Sequence, residues 1–156
     1  MLSRFQWIAV IGGAVGGAIA IAAMEHFSMR GHFPLFAVPF ATSIVLVMGS
    51  PEVDAAQPRA LIGGHLVATL VGLIVLQFTG PGPWAAAAAV GFAIAAMHLT
   101  GTFHPPAGID PLIVVAYGMS LSFLVVPVAV GACLLALFAF LWLNLVHRRS
   151  WPLRWW

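Results

Sequence analysis

Leu99-Thr-Gly-Thr-Phe-His-Pro-Pro-Ala-Gly-Ile-Asp-Pro111 interrupts a chain that is otherwise almost uncharged and apolar. Its adjacent prolines remove backbone donors and break a helical ladder. A histidine precedes them and an aspartate follows. Where the surroundings are hydrocarbon, polar groups freed in this way need protein, water or a ligand as partners. The role of the stretch therefore depends on whether the chain is soluble or lies in a membrane.

Composition answers that question. The 156 residues are 62% hydrophobic and only 6% charged, with a mean hydropathy of +1.06. About a quarter of the residues of a soluble domain are charged, so this chain cannot clothe a water-facing surface. Charge-free windows of about twenty residues recur, which is the length that crosses a hydrocarbon core. The chain reads as an all-α polytopic membrane protein whose first partner is the lipid bilayer. Its net charge of +2 comes from six arginines with no lysine, too few for a nucleic-acid surface. The single cysteine, Cys133, has no partner for an intrachain disulfide. Arg4 and the apolar run after it resemble a signal peptide, but the run is long and carries paired glycines, so it reads as a first span.

Runs and breaks place long helices at 7–24, 59–78, 84–99 and 121–147, with shorter segments at 36–49 and 111–118. Four long transmembrane helices and two short or broken ones are thus expected. Gly80-Pro-Gly-Pro83 is a turn by composition. Ser50-Pro51-Glu52 signals a short helical turn, and Pro58 restarts the chain as the next span. The order long, short, long occurs twice, in repeats at 1–79 and 84–147, followed by a tail at 148–156.

Sequence echoes accompany this order. Ile21-Ala-Ala-Met-Glu-His26 matches Ile94-Ala-Ala-Met-His98, Gly31-His-Phe-Pro34 matches Gly101-Thr-Phe-His-Pro105, and Ser43-Ile-Val-Leu-Val-Met-Gly49 matches Leu112-Ile-Val-Val-Ala-Tyr-Gly118. Three crossings per half would make the second half enter from the opposite side, an inverted repeat of the kind transporters use. Six crossings put Arg4, Arg59, Arg148, Arg149 and Arg154 on one face and Arg30 on the other. Re-entrant short segments would move Arg59 across as well. The arginine bias favours six crossings with both termini cytoplasmic. Trp151, Trp155 and Trp156 with their neighbouring arginines suit a tail lying at that interface.

Few side chains carry chemistry. Gly12, Gly13, Gly16 and Gly17 allow close helix approach, within the protomer or between subunits, and Gly63-Gly64 does the same beside His65. His65 and His98 fall inside apparent spans, where an ionisable group marks a polar interior or path, the bland reading being a neutral ring bonded to a backbone carbonyl. On one helix, His98 and Thr102 would share a face and form a polar ledge leading to His104. Pro106 or Asp110 starts a short helix, leaving free amides near Ala107, Gly108 and Ile109 as an anion site. Pro39-Phe-Ala-Thr-Ser43 offers a matching terminus with the hydroxyls of Thr42 and Ser43, while the Asp110 carboxylate competes for the positive end. Arg59 is the best-placed cation to attract an anion, or an ordinary interfacial arginine. Glu25 and His26 make a polar pair near the end of the first span, and Asn144 is a candidate to bond across helices. No nucleophile elbow, phosphate loop or carboxylate pair appears. The spacing of His98, His104 and Asp110 matches no compact metal motif. No enzyme activity, catalytic residue, metal or cofactor is expected.

These residues resemble those of the HPP family of integral membrane proteins. The resemblance rests on Val38-Pro-Phe-Ala-Thr-Ser43, Gly49-Ser-Pro-Glu52, Ala56-Gln-Pro-Arg59 with Gly63-Gly-His65, and His104-Pro-Pro-Ala-Gly-Ile-Asp-Pro111, in order along most of the chain. It implies a small multi-span protein, usually described with four transmembrane helices, whose plastid and cyanobacterial relatives are associated with nitrite transport. It also puts Arg59, His65, His104, Gly108 and Asp110 on family motif positions. Some members carry regulatory CBS domains, and this sequence contains none.

The expectation is a transporter or channel for a small anion, foremost nitrite, in a bacterial inner membrane. Its site would lie near the midplane at broken-helix N-termini, lined by Thr42, Ser43, His65, His98, Thr102, His104, Gly108 and Asp110, with Arg59 at an entrance. A protomer this small leaves little wall around a path, so a homo-oligomer, dimer or trimer, is expected. The alternative is a non-transporting membrane scaffold or small-ligand sensor.

Overall fold

In the computed structural model, residues 3–31 and 36–155 are described, and they are entirely helix, turn and loop. The echo at 31–34 falls mostly outside them. Helix α1 (Arg4–Gly31) is followed by a short turn at Val38–Phe40 and α2 (Ala41–Gly49). A turn at Asp54–Ala56 leads into α3 (Pro58–Thr79). The expected helical turn after Ser50 therefore forms, a few residues later than its capping signal. Pro58 occupies the start of α3, where its missing N–H costs nothing. Gly80, with φ of 71°, ends that helix before α4 (Pro83–Leu99). A turn at Pro105–Gly108 introduces α5 (Ile109–Tyr117). The last helical run, Leu124–Val146, has α6 (Val130–Leu141) as its regular part. It is broken near its start at Val126, which precedes Pro127 and has extended dihedrals (φ −128°, ψ 118°).

Among the described residues, three runs are long and apolar enough to cross a membrane: 6–31, Pro58–Thr79 and Leu124–Val146. Helix α4 has 17 residues and reaches about 25 Å, just short of a hydrocarbon core of about 30 Å. Helices α2 and α5 have nine residues each, so each reaches about 14 Å, half a crossing. The outward faces are mostly apolar: Trp7, Ile8, Ile11 and Ile19 on α1, Phe78 on α3, Phe92 on α4 and Leu137 on α6 are all exposed. A water-soluble fold would bury most of these. Glu25 and His26 also lie on the exposed surface of α1.

The core divides around α3. On one side Ala20 and Met24 of α1, Phe40, Ile44 and Val47 at α2, and Ala132, Leu135 and Leu143 of the last run pack together. On the other, Ala68 and Val75 of α3 meet Ala89, Ala93 and Met97 of α4 and Val115 of α5. Trp151 joins the first cluster at 2% exposure. One tryptophan of the tail is thus part of the protein core. Asn144 holds Trp151 through both backbone groups and also donates to Phe140 O in its own helix. The buried Gln57 secures the chain further on: its Nε2 donates to Pro51 O at 2.8 Å, and its Oε1 accepts from Leu153 N at 2.8 Å. Trp155 remains exposed.

Glycines set the closest approaches. A Cβ at Gly64 would stand 2.6 Å from His104 Cβ and 2.8 Å from Thr102 O, and one at Gly72 would stand 2.7 Å from Pro111 Cα. These two positions let the 102–111 segment lie directly on α3. Gly12 and Gly16 abut His147 and Trp142, and Gly13 abuts Met48 O, so these glycines of α1 serve packing within the protomer. Gly91 has nothing near its missing Cβ. Gly64→Ala and Gly72→Ala are expected to destabilise the fold by about 1–3 kcal/mol through overpacking against backbone. Gly91→Ala should leave the midpoint unchanged or raise it. Thermal unfolding of the three variants in one detergent checks this, and equal midpoints would refute the packing assignment.

Candidate functional site

Four polar side chains with 0% exposure meet where the two halves of the core adjoin: Ser43, His65, His104 and Asp110. Ser43 lies in the first turn of α2, His65 a little over two turns into α3, His104 just before the Pro105–Gly108 turn, and Asp110 at the start of α5. Each short helix therefore contributes from its N-terminal end, and α3 provides the wall between them. Phe40 closes the apolar side, its ring centroid 4.7 Å from that of His65.

The contacts form one continuous chain. His104 Nδ1 lies 2.6 Å from Ala55 O. A carbonyl only accepts, so this nitrogen carries a proton. His104 Nε2 is 2.9 Å from Ser43 Oγ, and the same oxygen is 2.8 Å from His65 Nε2. His65 Nδ1 is 2.7 Å from Asp110 Oδ2. Thr69 Oγ1 donates to that same oxygen at 3.2 Å, whereas Asp110 Oδ1 is buried without a hydrogen-bond partner. Thr69 stands midway along α3, and Ala55 lies in the loop that precedes that helix. The chain thus runs from the loop at one end of the span to its middle.

Taking a carboxylate and two imidazoles out of water costs several kcal/mol per charge unless partners compensate. Here the compensation comes from five separate segments, so the cluster also holds together α2, α3, α5, the 50–57 loop and the residues just before the Pro105–Gly108 turn. At the loop end is a polar cleft of about 200 Å³ lined by Asp54, Gln57, Arg59, Ala60, Gly101 and Arg154. Arg154 and Asp54 approach to 3.5 Å there, both well exposed. Arg59 Nη2 donates to Thr100 O at 3.0 Å. Gly101, at φ 65°, permits that approach, since a Cβ would stand 2.7 Å from the guanidinium.

The sequence matches the model of the HPP transmembrane region over residues 2–152. The chain belongs to the HPP transmembrane family. Two Dictyostelium discoideum proteins, each described only as a transmembrane protein, are similar to it. One is 38% identical over 125 residues, 75% of this chain and 40% of that protein. The other is 32% identical over 162 residues, 97% of this chain and 55% of that protein. The chain therefore spans about half the length of these curated relatives. No solved structure matches it.

Among the expected site residues of this HPP protein, the structure unites Ser43, His65, His104 and Asp110 and separates the rest. Thr42 is exposed on α2, whereas the adjacent Ser43 is buried. His98 is exposed and stacks on Phe103 with ring centroids 4.0 Å apart. The expected ledge does not form, because α4 ends at Leu99 and Gly101 turns the chain before Thr102. Thr102 bonds instead to Thr100 Oγ1 at 2.7 Å. Gly108 is half-buried with open space beside its Cα, and it makes none of the chain's contacts. Arg59 sits at the cleft, separate from the buried cluster. Of the amides expected to be free at the start of α5, Ala107 N donates to His104 O at 3.0 Å and Ile109 N to Pro106 O, while the Asp110 carboxylate is bound to His65 and Thr69. Thr69 was missed by sequence reading, since a threonine in an apolar helix carries no signal until its acceptor is known.

Removing the acceptor of His65 strands a buried N–H, so Asp110→Ala is expected to cost about 3–5 kcal/mol. Asp110→Asn keeps an oxygen acceptor and should cost less. Thr69→Val removes one hydrogen bond at constant shape, for about 1 kcal/mol. Unfolding midpoints in detergent should fall in the order wild type, Thr69→Val, Asp110→Asn, Asp110→Ala, and a neutral Asp110→Ala would show that the cluster does not hold the fold.

Proposed function

We propose that this HPP protein transports a small anion, foremost nitrite, across the membrane. The observation that carries this reading is the unbroken chain of ionisable and hydroxyl side chains from Ala55 O to Asp110, reaching the middle of a membrane-crossing helix. Such groups are expensive in a membrane and by default mark a substrate or proton path. The nitrite assignment follows the family resemblance. The cleft at Arg59 supplies a cation for an approaching anion. All four residues of the cluster are fully buried, so passage on this reading requires α2 or the 102–111 segment to move away from α3.

The two short helices support reading the chain as an inverted repeat. Each has nine residues, follows a proline-containing turn, and brings its N-terminal end to the common site. Assembly as a dimer or trimer, a bacterial inner membrane and cytoplasmic termini complete the proposal. A scaffold or sensor would need only the packing role of the cluster.

The succession Ser43, His65, Asp110 is also that of a serine-hydrolase relay. What favours transport over acyl transfer is the second imidazole on the serine, since the Ser43 oxygen is engaged by His104 as well as by His65. On this reading the protein is not an enzyme.

Nitrite uptake into liposomes holding the purified protein should exceed that into empty liposomes, and His104→Ala should bring it back to the empty level. Arg59→Gln should slow uptake more at low salt than at high salt, because attraction at an exposed cleft is screened. Uptake equal to empty liposomes with folded wild-type protein would overturn the transport reading. Equal rates for nitrite, nitrate, formate and chloride would remove nitrite as the particular cargo.

A further inference from the structure

The protons available to the buried chain can be counted. His104 Nδ1 must carry a proton, because its partner, Ala55 O, only accepts. With an ionised Asp110, His65 Nδ1 must also carry one. If both rings are neutral, both Nε2 atoms then present lone pairs to Ser43 Oγ, at 2.8 and 2.9 Å. A hydroxyl has one proton and can satisfy only one of them. The other contact would set lone pair against lone pair in a site sealed from water. One more proton resolves the conflict, because one Nε2–H then donates to Ser43 Oγ while Ser43 donates to the other ring.

We infer that Asp110, His65, Ser43 and His104 form a proton-binding relay that holds one proton beyond the neutral-imidazole state. The inference rests on the transport reading for its biological role, though not for its chemistry. The same proton count has three arrangements. The excess charge sits on His65 beside the Asp110 carboxylate, or the proton between them moves to Asp110 Oδ2 and leaves both partners neutral. In the third, His104 Nε2–H donates to Ser43, whose own proton points to His65.

The first and third arrangements interconvert when two protons shift together. One leaves His65 Nε2 for Ser43 Oγ, and the other leaves Ser43 Oγ for His104 Nε2. No proton enters or leaves, and one positive charge moves between rings whose centroids are 5.1 Å apart. In every arrangement the cluster carries no net charge, as burial in an apolar surround favours.

Other ionisable groups lie outside this count. Helix α2 and the last helical run bring none to the cluster, and α4 brings only His98, exposed and stacked on Phe103. From the loop side, Asp54 pairs with Arg154 at the surface, Glu52 is exposed, and Arg59 is bound to Thr100 O. Asp110 Oδ1, buried and unpartnered, is the acceptor left at the mid-span end of the relay.

The proton count is measurable without transport. Histidine-labelled protein in lipid bilayers is studied by ¹⁵N NMR at about pH 8.5, where solvent-reached histidines are neutral, alongside the protonated-carboxyl band in the infrared. One imidazolium, or one protonated carboxyl that disappears in Asp110→Asn, is the expected result. Two neutral rings together with an ionised carboxylate would overturn the inference.

The relay itself is read from proton movement during nitrite uptake, followed by a pH dye inside the vesicles. Ser43→Ala should slow it at least about tenfold, as loss of a positioned proton-transfer group does. An undiminished rate in that variant overturns the relay, and so does wild-type nitrite uptake with no proton movement, which leaves transport intact. If wild-type protein takes up no nitrite, the transport reading falls, and the spectroscopic proton count still decides this one.

Discussion

A single hydroxyl, that of Ser43, faces two imidazole nitrogens in a space closed to water, and much of the protein is arranged around that contact. In hydrocarbon an unmatched polar group has no solvent to fall back on. The cluster can therefore exist only if every neighbour is held in place. Ala55 O orients His104, Asp110 orients His65, and Thr69 steadies the carboxylate. Each of these partners comes from a different place in the chain, so satisfying one small polar site ties together two half-length helices, a full span and a loop.

The approach needed for this depends on residues with no chemistry of their own. The 102–111 segment reaches α3 because Gly64 and Gly72 leave no side chains in its way. Gly131 does the same for Phe40, whose ring covers the imidazole of His65. Prolines bring the short helices to a start at the correct depth: Pro39 before α2, and Pro105 and Pro106 before α5. Small residues and prolines thus place a handful of polar side chains that the hydrophobic effect alone would never gather.

This arrangement changes the meaning of a broken helix in this protein. Free amides at a helix start ordinarily attract an anion from outside. Here the chain supplies its own carboxylate and pairs it with an imidazole, while Arg59 stands apart in a surface cleft. A buried imidazole–carboxylate pair and an arginine in a surface cleft, at different depths along one span, are compatible with the coupled movement proposed for this protein.

Much was legible in the residues themselves. Hydropathy and charge scarcity settled the membrane class, because no other environment accepts so apolar a surface. Proline and glycine punctuation located most helices to within a few residues; the first runs longer than its apolar core, and the last is broken at Val126. The histidines, Ser43 and Asp110 stood out because polar groups are rare in such a chain. What the sequence could not supply was direction and distance. Thr42 and Ser43 are neighbours, yet only one faces inward; His98 and His104 lie close in sequence, yet Gly101 turns the chain and leaves the first at the surface. Which polar residues meet is settled by contacts between elements far apart in sequence, Ser43 with His104 and His65 with Asp110. Those contacts follow from packing around α3, which local pattern does not encode.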